Sequence, residues 1–209
     1  MLSEIQYATF ANYSPRGTSD ISQRSRNICG HIKAGKVDLI SSVVPHLKSP
    51  PAAALAPFLS HEVTLVPVPR SAPLAEGALW PAKVIADILA SAGLGAEVLP
   101  CIERVTAVRK SSSSPAAVRP SVAEHYDSLG MTAELIMPAQ ITLVDDVLTQ
   151  GRTMFACARH LHEAFPHAEI RSFAIVRTQG FVDNVEKIVD PSTGTIRYYE
   201  NSGKTFREP

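Results

Sequence analysis

The sequence predicts an α/β protein with a central, mostly parallel sheet flanked by helices. Short apolar runs of strand length lie at residues 63–66, 141–144 and 170–177. Segments with the apolar spacing of a helix follow the first two runs, at residues 81–89 and 154–164. Strands that alternate with helices in this way form parallel sheets, because each helix returns the chain to the edge where the strand began.

Composition bounds the class of protein. A chain of 209 residues, with 45% hydrophobic and 19% charged residues, fits one domain with elaborations or one domain plus a small cap. Twenty basic and twenty acidic residues cancel, so no global field favours binding to nucleic acid or to an anionic membrane. Nucleic acid stays open as a partner, although the charge does not indicate it.

Cysteine usage and the start of the chain indicate the compartment. Cys29, Cys101 and Cys157 are isolated and odd in number, which argues against a disulfide framework and a structural zinc site. The chain does not begin with a basic region followed by an apolar core, and no apolar run approaches bilayer-spanning length. We therefore expect a cytoplasmic protein that does not bind membranes.

Residues 1–60 are predicted to be a helical N-terminal segment. Asp20 and Gln23 have capping-box spacing for a first helix. Further short helices are predicted at residues 37–46 and 52–59. The apolar face of the first helix is predicted to contain Ile21, Ile28 and Ile32.

The core is predicted to begin with a strand at residues 63–66, which ends there because proline is disfavoured in a central strand. The loop that follows lies at the carboxyl end of this strand, where open α/β sheets bind ligands. Pro81 suits the first turn of a helix, and residues 97–101 are predicted to form the next strand.

Residues 102–128 form a long polar and basic stretch. Composition alone favours a solvated linker, but long irregular loops inside compact domains often act as lids. The choice between a linker and a lid depends on the ligand that residues 141–153 predict. The cations of this stretch are Arg104, Arg109, Lys110 and Arg119.

Residues 141–153 predict a buried strand, two carboxylates, a tight polar loop and the start of a helix. A loop at a helix N-terminus directs unpaired backbone N–H groups and the positive end of the helix dipole at one point, which suits a phosphate. Ionised Asp145 and Asp146 only accept hydrogen bonds, so they suit two neighbouring hydroxyls. A ribose 5-phosphate fits this layout, and a polyanionic ligand favours the lid interpretation of residues 102–128.

The remaining chain is predicted to add a helix, a strand and a β extension. Phe155, Ala158 and Leu161 mark the apolar face of the helix, and residues 170–177 form the strand. Residues 181–209 are predicted to form short β segments around a turn at residues 190–194.

Residues 141–153 resemble the phosphoribosyl pyrophosphate (PRPP) signature of type I phosphoribosyltransferases. That signature is four hydrophobic residues, two acids, an apolar pair and Thr-x-Gly-x-Thr, and every position matches. Residues 63–69 resemble the strand and pyrophosphate loop of the competence-protein-F-like branch, and residues 32–36 resemble its Lys–Gly segment. Two features depart from that branch: its cysteine-rich zinc segment is absent, and residues 71–77 replace an arginine-rich stretch.

The resemblance implies the type I phosphoribosyltransferase fold, with a PRPP-binding core at residues 61–180. It implies a small hood from residues 1–60 and 181–209. Asp145 and Asp146 would be the catalytic residues and would hold Mg²⁺, directly or through water. The 5-phosphate would be bound by Thr149, Gln150, Gly151, Arg152 and Thr153. The pyrophosphate would be bound by Val68, Pro69, Arg70 and Ser71. The flexible loop over it would carry Arg104, Arg109, Lys110 and Arg119.

The resemblance implies a phosphoribosyltransferase that uses PRPP and Mg²⁺ to transfer ribose 5-phosphate to a nitrogen acceptor such as a nucleobase, with release of pyrophosphate. The alternative is a non-catalytic PRPP- or nucleotide-binding module with a regulatory or nucleic-acid-associated role. The acceptor and the possibility of a homodimer stay open. The candidates for stacking on a base are Phe181, Tyr198, Tyr199 and Phe206.

Overall fold

A computed structural model describes residues 2–109, 119–132, 137–180 and 182–209. The strands are β1 (Glu4–Tyr13), β2 (Thr64–Pro67), β3 (Glu97–Val98), β4 (Ile102–Arg104), β5 (Leu129–Met131), β6 (Gln140–Leu148), β7 (Glu169–Thr178), β8 (Val189–Tyr199) and β9 (Lys204–Glu208). The helices are α1 (Asp20–Lys33), α2 (Val37–Leu47), a 3₁₀ helix (Pro50–Leu55), α3 (Pro81–Ser91), α4 (Val122–Asp127) and α5 (Arg152–Ala164).

The described strands form a seven-stranded sheet in the order β3-β2-β6-β7-β1-β8-β9 and a separate two-stranded sheet of β4 and β5. The pairings from β3 through β1 are all parallel, whereas β8 and β9 are added antiparallel. The predicted fold class, α/β with a mostly parallel central sheet flanked by helices, is confirmed at this level.

The prediction that residues 1–60 are helical is wrong for the first strand. Residues Glu4–Tyr13 form β1, which lies inside the sheet between β7 and β8. Polar residues such as Gln6 and Thr9 interrupt its apolar pattern, so periodicity alone did not predict a strand. Thr9 is nevertheless fully buried, and its hydroxyl accepts a hydrogen bond from Arg177 Nη1 at 3.0 Å.

The sheet has a hydrophobic core on each face. One core contains residues of α1, α2, the 3₁₀ helix and α3, and the other contains residues of α4, α5, β4 and β5. Neighbouring strand residues contribute to opposite cores, as Leu143 and Val144 of β6 do. This alternation explains the continuous apolar runs, because strands covered on both faces bury every side chain.

The predicted helices are present, but the structure corrects one N-cap, the burial of one residue and the type of one helix. The first helix is capped by Ser19, whose side chain accepts from Ser22 N, and not by Asp20. Ile21, which was predicted to be buried, is 38% exposed. The segment predicted as a helix at residues 52–59 is a 3₁₀ helix at Pro50–Leu55.

One predicted strand and one predicted turn differ from the structure. The strand predicted at residues 97–101 is reduced to Glu97–Val98, after which the chain leaves the main sheet for β4. The turn predicted at residues 190–194 lies inside β8, where Pro191 sits at an irregularity opposite β1. A bulge accommodates a residue without an N–H group, so the strand continues through the proline.

The terminal segments that were predicted as parts of a hood contribute β1, β8 and β9 to the main sheet. Within the described ranges, no helix combines the length and the apolar character that crossing a bilayer requires.

Candidate active site

A cavity of about 310 Å³ lies at the carboxyl ends of β2 and β6. The predicted site residues come together around it, although they belong to segments far apart in the chain. Lys110 lies outside the described residues. The lining residues that the sequence predicted are Val68, Pro69, Arg70, Ser71, Arg104, Arg109, Arg119, Asp145, Asp146, Thr149, Gln150, Gly151, Arg152 and Thr153.

The acidic pair lies within β6, whose pairing with β7 continues to Leu148. The backbone N–H of Asp146 donates to Asp145 Oδ1 at 2.8 Å. Burial raises the pKa of Asp145 well above its ordinary value, and the neighbouring charge of Asp146 raises it further. Among the described residues, neither carboxylate forms an ion pair with a basic side chain. The pair is therefore a site of concentrated negative charge that a cation or a hydroxyl donor would stabilise.

The loop of residues 149–153 joins β6 to α5. Gly151 is the N-cap of α5 with φ of 80°, and it provides no side chain to cap the first-turn N–H groups. Those groups and the helix dipole favour an anion at this position. Arg152 has a structural role here, because its Nη1 donates to the carbonyls of Arg119 and Pro120, each at 3.1 Å.

The loop of residues 68–71 is tied to its surroundings on both sides. Val68 N donates to Val144 O at 2.9 Å, and Trp80 Nε1 donates to Val68 O at 2.8 Å. Arg70 Nη1 donates to Leu79 O at 2.8 Å, so this arginine is already bound to the chain that follows it.

Arg104 differs from its predicted place in a flexible loop. It lies in β4, is 4% exposed, and its Nε donates to Arg70 O at 2.9 Å. Its Nη1 also donates to Ser128 Oγ and to His125 O. Because folding has already satisfied these donors, Arg104 fixes the loop of residues 68–71 from behind. Arg109 and Arg119 line the cavity on either side of residues 110–118, which lie outside the described ranges.

Sequence reasoning did not place Lys33, Trp80 or His125 in the cavity, although all three line it. Lys33 is the last residue of α1, and the Lys–Gly segment was the available signal for it. His125 lies in α4, which has a capping box formed by Ser121 and Glu124. The Ser-x-x-Glu spacing of that box could have predicted the helix within the polar stretch.

His125 connects the phosphate-type loop to the Arg104 side of the cavity. It is 2% exposed, and its Nε2 lies 3.3 Å from Thr153 Oγ1. Burial lowers the pKa of His125 to about 4, and the positive charges of Arg104 and Arg152 act in the same direction. His125 is therefore neutral near pH 7, so one of its ring nitrogens is a donor and the other is available as an acceptor.

The charge of the cavity wall suits a polyanion. Among the described residues, six basic residues and two carboxylates line the cavity, whereas the whole chain carries no net charge. The local excess is therefore a property of the fold that composition does not reveal. The basic residues are Lys33, Arg70, Arg104, Arg109, Arg119 and Arg152.

The candidate stacking residues do not line this cavity where the structure describes them. Tyr198 stacks on Phe155, with ring centroids 5.2 Å apart. Tyr199 and Phe206 make an edge contact with each other on an exposed surface. Phe181 lies outside the described residues.

The described residues contain no cluster of three or more His, Cys, Asp or Glu side chains arranged to hold a metal ion. Comparison of the sequence with protein-family models and with curated proteins found no significant match. The chemistry of the cavity is therefore the basis on which a function is assigned to this chain.

Proposed function

We propose that this protein is a Mg²⁺-dependent phosphoribosyltransferase that uses PRPP as donor and a nitrogen nucleophile as acceptor. The observation that carries the proposal is the convergence of three elements on one cavity: the acidic pair, the loop at the N-terminus of α5, and the loop of residues 68–71. Together they offer partners for a diol, a phosphate monoester and a second anionic group. PRPP carries all three.

The proposal includes the type I phosphoribosyltransferase fold. The acidic pair lies on a central parallel strand, and the loop that follows it opens a helix at the carboxyl edge of the sheet. That edge is where open α/β sheets bind ligands, which supports the assignment.

In this proposal the donor spans the cavity. The first-turn N–H groups of α5 and the hydroxyls of Thr149 and Thr153 bind the 5-phosphate. Asp145 and Asp146 accept hydrogen bonds from the ribose 2- and 3-hydroxyls. The loop of residues 68–71 and the surrounding cations bind the pyrophosphate.

The residues present fit magnesium as a shared cofactor. Two carboxylates without a basic partner, one of them with a raised pKa, suit a divalent cation that keeps several waters and shares substrate oxygens. When bound, the ion neutralises charge on the pyrophosphate and so assists its departure.

The reaction is a displacement at the anomeric carbon. The bond between that carbon and the pyrophosphate oxygen breaks, the electron pair leaves with pyrophosphate, a bond to the acceptor nitrogen forms, and the proton of that nitrogen is released to pyrophosphate or water. Residues 145–146 and 149–153 hold the sugar in one orientation, which converts an encounter of two molecules into a reaction at a fixed distance. The basic residues on the cavity wall stabilise the charge that develops on the leaving group.

Cys29, Cys101 and Cys157 are buried and form no disulfide bond, as expected in a reducing compartment. We therefore place the proposed activity in the cytoplasm.

The direct test measures pyrophosphate release from PRPP and Mg²⁺ across a panel of purines, pyrimidines and simple amines. Release that depends on one acceptor supports the transferase. If calorimetry at millimolar Mg²⁺ shows no PRPP binding, the proposal is contradicted, because the reaction requires PRPP as its donor.

A second candidate is a PRPP- or nucleotide-binding module without turnover. The specific observation that favours it is Arg70, the one cation of the 68–71 loop, which is bound to the carbonyl of Leu79. A leaving group held mainly through backbone groups is less strongly activated. Tight PRPP or nucleotide binding without pyrophosphate release from any acceptor would select this alternative.

A further inference from the structure

The C-terminal strands contact the loop of residues 149–153. Thr205 of β9 is fully buried, and its Oγ1 donates to Gln150 O at 2.7 Å. This bond joins residues 55 positions apart, so no local pattern could set it. The carbonyl of Gln150 is thereby given one fixed direction.

Fixing that carbonyl also fixes the next N–H group. A trans peptide is planar, and its C=O and N–H point in opposite directions. The N–H of Gly151 therefore points away from β9 when the carbonyl of Gln150 points toward it. Gly151 lines the cavity, on which the predicted phosphate-binding residues converge.

Ile196 of β8 forms the second contact with this peptide. A Cβ on Gly151 would lie 2.7 Å from Ile196 Cδ1, so the side chain of Ile196 rests directly against the glycine. Ile196 is fully buried, and nearby Tyr198 of the same strand stacks on Phe155 in the first turns of α5. The hairpin thus supports both the loop and the start of the helix.

We propose that the β8–β9 hairpin positions the phosphate-binding loop, and that Thr205 is the positioning residue that aims the N–H of Gly151 at a phosphate monoester. This inference rests on the proposed function for the identity of the ligand. It assigns residues 189–208 to the sugar-phosphate end of the site.

The test compares Thr205→Val, which removes the hydroxyl but keeps the shape, with Thr205→Ser, which keeps it. Thr142→Val is the matched control, because Thr142 is also fully buried in the sheet but its hydroxyl has no hydrogen-bond partner within the described part of the chain. The probes are ribose 5-phosphate and inorganic pyrophosphate, each titrated by calorimetry with Mg²⁺.

We expect Thr205→Val to weaken ribose 5-phosphate binding about tenfold, as for the loss of a buried hydrogen bond at a binding loop. Pyrophosphate affinity should stay the same, and Thr205→Ser and Thr142→Val should bind both probes like the unmodified protein. A general loss of stability would lower the affinity for both probes. A loss of ribose 5-phosphate affinity alone therefore indicates positioning and not unfolding.

Amide hydrogen exchange of the free protein provides a measurement that needs no ligand. The amides of residues 151–153 should exchange about tenfold faster in Thr205→Val than in Thr142→Val. Equal exchange in the two variants would overturn the positioning role. Faster exchange in a protein that binds no sugar phosphate would support positioning while contradicting the proposed function.

Discussion

The two loops that meet at the carboxyl edge of the sheet are held in place by different means. The loop of residues 149–153 rests on regular structure, because β8 and β9 contact its peptide and α5 begins within it. The loop of residues 68–71 is held by separate hydrogen bonds: the side chains of Trp80 and Arg104 donate to its carbonyls, and backbone bonds join Val68 to Val144 and Ser71 to Val108. The first loop therefore has a scaffold, whereas the second depends on individual hydrogen bonds.

This difference has a functional meaning in the proposed reaction. Sites built on strands and helices are more precisely defined than sites on loops. The sugar phosphate stays on the donor and on the product, so a rigid subsite suits it. Pyrophosphate must depart, so a subsite held by a few separable contacts suits the leaving group. The following predictions test the two loops separately, from the largest expected effect to the smallest.

The largest effect is expected from replacing Asp145 and Asp146, which line the same cavity as both loops. Asp145→Asn with Asp146→Asn should abolish Mg²⁺-dependent PRPP binding in calorimetry, because neither amide compensates a divalent cation. Exposed Asp38→Asn on α2 serves as the control and should bind normally. Unchanged affinity in the double variant would remove the acidic pair from the site.

His125 connects the two loops and should make stability depend on pH. Its pKa is lowered from 6.5 to about 4, so between these values the unfolded chain binds a proton that the folded chain does not. This contribution to stability is fully present above pH 6.5 and is lost as the pH falls toward 4, by about 3 kcal/mol in total.

The raised pKa of Asp145 has the opposite sign, because the folded state then binds the extra proton. Because the loss of stability between pH 6.5 and pH 4 arises from His125, the variant His125→Asn should not show it. Urea unfolding at several pH values measures this difference. Exposed His61→Asn is the control for removing a histidine. The same pH profile in His125→Asn and the unmodified protein would contradict this role for His125.

The scaffolded loop should be sensitive to a single methyl group. Gly151→Ala adds a Cβ that would lie 2.7 Å from Ile196 Cδ1. It also places an alanine at a position whose φ is 80°. Strain and overpacking should lower the free energy of unfolding by about 2 kcal/mol and weaken ribose 5-phosphate binding. Gly93→Ala has a similar φ of 74° with open space around its Cβ, so the difference between the variants isolates the contact with Ile196. Equal losses would show that the hairpin does not constrain the loop.

The other loop should respond to the loss of one donor. Trp80→Phe keeps an apolar ring but leaves the buried carbonyl of Val68 without its 2.8 Å partner, at a cost of about 1 kcal/mol. Pyrophosphate affinity should fall several-fold, while ribose 5-phosphate affinity stays the same. Tyr126→Phe, which removes the donor of an exposed hydrogen bond to Glu163, is the control. Equal weakening of both probes would show that the two loops do not act independently.

The local strand–loop–helix units were predictable because short-range rules set them. Residues 63–66 and 141–144 are apolar over strand length, Pro81 begins α3, and Gly151 begins α5 with a positive φ. Since the carboxyl ends of parallel strands meet at one edge, the two loops were expected to lie together. They line one cavity.

The errors arose where pairing between distant segments decides the structure. Residues Glu4–Tyr13 have polar interruptions, and their place in the sheet depends on β7 and β8, which are more than 150 residues away. Pro191 indicated a turn, but the bulge against β1 carries the strand past it. Arg104 was expected in a lid because its neighbours are polar, yet burial against Arg70 and Ser128 fixes it in β4.

The sequence by itself determined the two loops that follow β2 and β6, since hydrophobic runs, glycine conformation and helix capping act over a few residues. Only the tertiary structure decided what surrounds them. It places Lys33, Trp80 and His125 in the cavity wall and sets Thr205 beneath the peptide of Gln150. It also concentrates six basic residues around two carboxylates in a chain with no net charge. The physical reason is that a hydrogen bond or a charge contact acts through space, and residues far apart in the chain become neighbours only when the sheet has formed.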